Sequence, residues 1–202
     1  MLLRHGEAVG NAEGRLLGRM DSPLTEKGKA QAARLTALID PSVTVSRLIT
    51  SPLARAKGTA LALGLGVPIE TDDRWIEVDY GSYDGERLSA VPSEVWREWR
   101  ADPGYRPPGG ETLAELGVRV RGACEELFST EGAGARADAD VIVVSHVSPI
   151  KAAVCWALGA GDGTAWRMWL ATGSVTVIGW GAGTPVLHRY NIVSPNDGRV
   201  GA

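Results

Sequence analysis

The 202-residue sequence is short of histidine, cysteine and phenylalanine, with three, two and one of them. So few histidines, and two cysteines without ligand spacing, leave no pattern for a metal site, and neither a metal nor another cofactor is expected. Cys124 and Cys155 sit in segments that read as helices, where a lone thiol is expected as a small buried hydrophobe rather than half of a disulfide. Basic residues are not in excess either. A net charge of −3 and a sequence pI near 5.7 give no electrostatic footprint for nucleic acid, so an anion must be caught by a local cluster. No apolar run reaches the ~20 residues needed to cross a bilayer. Charges appear from residue 4 with no apolar h-region behind them, so neither a signal peptide nor a membrane partner is expected, and the cytoplasm is the expected location. Internal repeats and a linker are lacking as well. One domain over residues 1–202 is expected, long enough to bury its own core.

Strand and helix signals alternate along the chain. "MLLR" reads as a short strand, with only three residues ahead of Arg4, and a Gly-rich loop follows it. Thr25 is a plausible N-cap for a helix with Gly28, Ala32, Leu35 and Ile39 on one face. "VSRLITS" is β-branched like a strand, and Ser51-Pro52 is expected to open a helix with the proline in its first turn. "VPIET" reads as a strand, and residues 88–110 as a helix-plus-loop insert ending in a Pro/Gly cluster. A long helix through "ETLAELGVRVRGACEELF" and a solvated loop at 129–140 come next. "VIVVS" is continuously apolar, as a strand buried on both faces should be. "PIKAAVCWAL" is then a helix, and two closing strands suggest an antiparallel edge. The alternation predicts an α/β fold, a three-layer sandwich with helices on both faces of a mostly parallel sheet.

In such sheets ligands gather at the carboxyl ends of the strands. There the chain places Arg4-His5-Gly6, Asn11 in the loop behind them, Arg55 just inside a helix, Glu77 after the third strand, and His146 at the end of "VIVVS". Two guanidiniums, two imidazoles, an amide and a carboxylate suit a phosphoryl group. Guanidinium forks match phosphate oxygens, an imidazole can attack phosphorus, and a carboxyl can protonate the leaving oxygen. Asp79 and Glu86 are carboxylates close enough to compete with Glu77 for that task. "GEAVGNAEG" lacks the Lys-Ser/Thr ending of a P-loop and is not read as a nucleotide cradle.

"LLRHGEAVGN", "DSPLTEKGKAQA", "TSPLARAKGTA", "WIEVDYGSYDGE", "PPGGETL", "VSH" and "TGSVTVI" occur in that order and span nearly the whole chain. Together they resemble the histidine phosphatase superfamily, in the branch of phosphoglycerate mutases and broad-specificity phosphatases. The resemblance implies that His5 is the nucleophile, that Arg4, Asn11, Arg55 and His146 form the phosphate pocket, and that Glu77 is the proton donor, without a metal. His146 is thereby also catalytic, as a stabiliser of the transferring group. It implies a small phosphorylated metabolite as partner, and a homodimer through an edge strand is common in such relatives. Val147 departs from the family pattern, which has glycine after the second histidine.

Hydrolysis of small phosphomonoesters through a phosphohistidine on His5 is the function expected on this basis. Phosphoglycerate mutase-type transfer is the alternative, and a catalytically dead binding module is a weaker one. The interval between Glu77 and His146, 146 − 77 = 69 residues, is short for the mutases and favours hydrolysis. His188 has no such context and is expected on the surface or an edge strand, and Arg15 and Arg19 are expected to be solvated. Most of the seven tryptophans are expected in the core, whereas Trp96 and Trp99, in the lid-like insert, would form an aromatic lid favouring a substrate with an apolar or ring-bearing part.

Overall fold

The computed structural model describes residues 1–129 and 140–197. Its strands are β1 (Leu2–Arg4), β2 (Val45–Thr50), β3 (Ile69–Thr71), β4 (Asp140–Ser145), β5 (Ser174–Gly181) and β6 (Thr184–Val193), in one sheet of order β3-β2-β4-β1-β5-β6. The first four named are parallel to one another; β5 runs antiparallel to β1, and β6 to β5. This is the expected mostly parallel sheet with an antiparallel edge. The helices are α1 (Val9–Ala12), α2 (Glu26–Leu35), α3 (Ala54–Ala62), α4 (Ser93–Ala101), α5 (Leu113–Phe128) and α6 (Val147–Ala157).

Alternation along the strands sets the layers, because successive side chains leave opposite faces of a sheet. Leu2, Ile49 and Val143 pack with Leu116 and Val120 of α5 and Ile150 and Ala153 of α6. Leu3, Leu48, Ile142 and Val144 point the other way, onto Leu35 of α2 and Ala56 and Ala60 of α3. β4 thus supplies both cores, which is why it reads as an unbroken apolar run. Leu3 is completely buried, so truncating it to alanine should cost about 2–5 kcal/mol. Cys124 and Cys155 are buried in α5 and α6 and are not bridged.

Thr25 does cap α2, accepting the Gly28 N–H at 2.9 Å. Thr112 and Glu115 form a reciprocal capping box on α5, a device that contributes about 1 kcal/mol. Pro52 is not in a helical turn: α3 begins at Ala54 with Leu53 as its N-cap, and the Ser51 hydroxyl accepts the Leu53 N–H instead. α6 starts two residues earlier than expected, at Val147, and Pro149 fits its first turn because that N–H has no helical partner to lose. The Gly-rich loop after β1 contains the short α1, closed by the Asn11 side chain on the Ala8 N–H. The solvated loop expected at 129–140 lies almost wholly outside the described residues. Among the described residues, no helix is long and apolar enough to cross a membrane.

Candidate active site

Strand pairing brings the two distant histidines together. β1 and β4 are parallel with Arg4 opposite Ser145, so His5 and His146 leave the sheet side by side, ring centroids 5.0 Å apart. The His5 N–H donates to the Ser145 carbonyl at 3.1 Å, and the Ser51 N–H to the Val144 carbonyl at 3.0 Å, which extends the same ladder to the end of β2. From there α3 carries Arg55 inward.

Both imidazoles are locked in one tautomer by their partners. His5 Nδ1 lies 2.6 Å from the Gly6 carbonyl, which can only accept, so Nδ1 holds the proton and Nε2 keeps a lone pair. The Gly6 N–H is in turn held by Thr59 of α3 at 3.1 Å. His146 Nδ1 accepts from Arg55 Nε at 3.2 Å, and arginine has no acceptor to offer, so Nε2 carries the proton and donates to Ser51 Oγ at 2.7 Å. Burial pushes both imidazole pKa values well below the ordinary histidine value, and the Arg4 and Arg55 charges add to this at both rings. Both rings are therefore neutral at pH 7.

Arg55 is fully buried. Besides Nε, it donates through Nη1 to the Met20 carbonyl (2.9 Å) and through Nη2 to the Gly18 carbonyl (2.6 Å). Three of the five guanidinium N–H groups are used, leaving two. Arg4 donates to the Leu170 carbonyl at 2.5 Å, and its buried Nε has no partner. Burial lowers the pKa of both guanidiniums, with attraction from Glu77 opposing it, though arginine keeps its charge regardless. Glu77, 2% exposed, accepts the Val78 N–H at 2.7 Å and, more weakly, the Ser148 N–H at 3.4 Å. Two guanidiniums and one carboxylate leave a positive interior, the field a phosphoryl group requires.

Of the competing carboxylates, Asp79 caps the Gly81 N–H and faces Arg19, and Glu86 is exposed, so Glu77 is the one that shares the interior with the arginines. Asn11 is tied into its own loop at Ala8, which commits its oxygen and leaves its amide as a donor. Arg15 pairs with Glu13, Arg19 lies 3.5 Å from both Asp79 and Glu111, and His188 is exposed on the edge strand β6. The sequence offers Ser51 and Ser148 only as markers of helix starts, and gives no signal for Thr59, Tyr80 or Lys151. Tyr80 is buried beside the Ser148 hydroxyl, and burial raises its pKa. Burial and Arg4 lower the Lys151 pKa, with Glu77 opposing. Ser148 and Lys151, three apart in the first turns of α6, share a helix face with the Glu77 contact, a spacing visible in the sequence once the helix start is known.

A glycine pair holds the loop that follows His5. The first turn of α2 presses so closely on the chain after His5 that a Cβ on Gly28 would lie 2.0 Å from the Glu7 carbonyl oxygen, and one on Gly6 would lie 2.2 Å from the Gly28 carbonyl oxygen.

The model of the histidine phosphatase superfamily (branch 1) matches residues 1–193. The chain belongs to that superfamily. A bifunctional protein of Mycobacterium tuberculosis is 33% identical over 183 residues, which are 88% of this chain and 49% of that protein. The chain thus spans about half the length of that mycobacterial relative. Phosphoserine phosphatase 1 of Hydrogenobacter thermophilus is 32% identical over 198 residues, 95% of this chain and 91% of its own. Among solved structures, a mycobacterial glucosyl-3-phosphoglycerate phosphatase in complex with VO3 superposes with a TM-score of 0.82 at 26% identity, covering 94% of this chain and 97% of that one. The motifs from "LLRHGEAVGN" to "TGSVTVI" all lie within the span that the superfamily matches.

Proposed function

We propose that the protein is a metal-independent phosphomonoesterase acting through a phosphohistidine on His5. The observation that carries this reading is the Nδ1–H bond to Gly6, which leaves a neutral Nε2 lone pair beside the buried Arg55 and half-buried Arg4 guanidiniums. Nε2 attacks phosphorus; the P–O ester bond breaks, and the departing oxygen takes a proton from the Glu77 carboxyl. Glu77, now ionised, takes a proton from water, whose oxygen attacks the phosphohistidine and releases inorganic phosphate and neutral His5. Arg4, Arg55 and Asn11 hold the phosphoryl oxygens. His146 stabilises the transferring group by turning its Nε2–H from Ser51 toward an equatorial oxygen.

An acid-labile, base-stable phosphoryl label trapped by rapid quench is the expected result with 32P-labelled monoester, absent in His5→Ala and slow to form in His146→Ala. Turnover of p-nitrophenyl phosphate should survive exhaustive EDTA, because the site's cations are guanidiniums. Label persisting in His5→Ala, or activity lost to EDTA and restored by a divalent ion, overturns the reading. Delivery of the label to a phosphoglycerate rather than to water would favour the mutase.

A further inference from the structure

Resting on the phosphatase reading, we infer that the alcohol part of the preferred substrate is a compact, uncharged apolar group about the size of one six-membered ring, seated in a tryptophan-walled cavity beside Glu77. The cavity measures about 160 Å³, and its lining includes Trp96, Trp99, Trp166, Tyr80, Val78 and Val147. An engineered cavity of about 150 Å³ lined by apolar side chains takes up benzene, so this volume suffices for one ring.

Its position matches the chemistry of the leaving group. Val78 and Ser148 line the cavity, and their N–H groups are the two that the Glu77 carboxylate accepts. Val147 follows His146 directly, and Lys151, also in the wall, is coupled electrostatically to Arg4 and Glu77. The carboxyl that protonates the leaving oxygen is thus held by the same backbone that forms the cavity wall. The carbon attached to that oxygen must start here.

The aromatic wall is stiff. Trp96 stacks on Trp99 at 5.7 Å, Trp166 meets both edge-on at 6.2 and 6.0 Å, and Tyr80 meets Trp99 at 5.2 Å. The Trp166 N–H is tied to the Trp99 carbonyl at 3.0 Å, and Arg100 lies 5.9 Å from the Trp96 and Trp166 ring centres. A wall so braced keeps its shape, so it selects by size. Besides the indole N–H groups, the polar lining is Lys151 and the Ser148–Tyr80 pair, too few partners for the several hydroxyls of a sugar or polyol.

The test compares kcat/KM for benzyl and cyclohexylmethyl phosphate with ethyl and glycerol phosphate, esters of similarly basic alcohols, so that size and polarity vary more than leaving-group strength. The expected ratio is at least about tenfold in favour of the ring-bearing esters, since even one methylene in an apolar pocket is worth about 10–200-fold. Trp96→Ala, at the half-exposed end of the wall, and Ala165→Phe, which fills the cavity, should each remove most of that ratio and leave ethyl phosphate turnover near the wild-type value. Equal kcat/KM for benzyl and ethyl phosphate, or a ratio untouched by both variants, overturns the inference. If no ester is hydrolysed, the phosphatase reading fails, and binding of benzylphosphonate against ethylphosphonate, followed by tryptophan fluorescence, decides this inference separately. At least tenfold tighter binding of benzylphosphonate upholds the cavity's role, and equal binding refutes it.

Discussion

Replacing Ser51 by alanine removes one oxygen, and the structure gives that oxygen a specific task. Ser51 is fully buried, and its Oγ is the acceptor for the His146 Nε2–H at 2.7 Å. The His146 ring cannot escape by changing tautomer, because Nδ1 must go on accepting from Arg55 Nε. Ser51→Ala therefore strands a buried donor, at a cost of about 1–3 kcal/mol. The second bond lost, from the Leu53 N–H at 3.4 Å, is too long to add much. For a chain of this length the loss corresponds to a fall in Tm of about 2–12 °C. Urea melts followed by tryptophan fluorescence should show a lower midpoint with an unchanged m-value. The discriminating comparison is a double-mutant cycle with His146→Leu. Leucine has no N–H to strand, so Ser51→Ala should cost less than about 0.5 kcal/mol in that background, giving a coupling energy of about 0.5–3 kcal/mol. A Ser51→Ala cost below about 0.5 kcal/mol in the wild-type background, or the same cost in both backgrounds, refutes the tautomer assignment.

Three further outcomes are expected. Glu77→Gln should slow an alkyl phosphate by about 10²–10⁴-fold and p-nitrophenyl phosphate much less, because only the basic alkoxide needs the proton; equal losses would make Glu77 structural. His5 and His146 both have folded pKa values lowered by burial, so the unfolded chain binds more protons in acid. Their contribution to stability is fully present above the unfolded value near 6.5 and falls as pH drops below it, by up to about 1.4 kcal/mol per pH unit for each ring; urea midpoints that stay level from pH 8 to 5 would contradict this. Gly28→Ala should destabilise by about 1–3 kcal/mol or more, since its Cβ would meet the Glu7 carbonyl oxygen at 2.0 Å, whereas the exposed helical Gly122, with nothing within 4 Å, should gain about 0.5–1 kcal/mol as alanine. Denaturant melts of the two variants check the contrast, and two shifts of the same sign would refute it.

The sequence by itself determined the layers, the chemical inventory and the superfamily. Alternation in Leu2-Leu3 and Leu48-Ile49 and the unbroken run of β4 are local patterns, and a two-faced sheet is the arrangement that buries them. The motifs that carry His5, Arg55, Glu77 and His146 were legible for a related reason: each begins within a few residues of a strand end. Helix starts were less so, since Pro52 and Pro149 both tolerate more than one position around a first turn. Only the tertiary structure decided what depends on contacts between distant residues. The parallel register of β1 and β4 sets His5 against His146 across 141 positions, and Arg55 and Ser51 then dictate the His146 tautomer. Nothing in the composition near residue 77 separates Glu77 from Asp79 and Glu86; burial against Val78 and Ser148 does. The tryptophans make the same point. Trp75 and Trp99 are fully buried and Trp96, Trp156 and Trp166 pack against the core, as expected of most of them, whereas Trp169 and Trp180 are 53% and 54% exposed. Trp96 and Trp99, expected as a lid, form a packed wall instead, because Trp166 and Tyr80 reach them from other parts of the chain. A side chain's size and polarity are local properties, whereas its burial and its hydrogen-bond partner belong to whatever the fold packs against it.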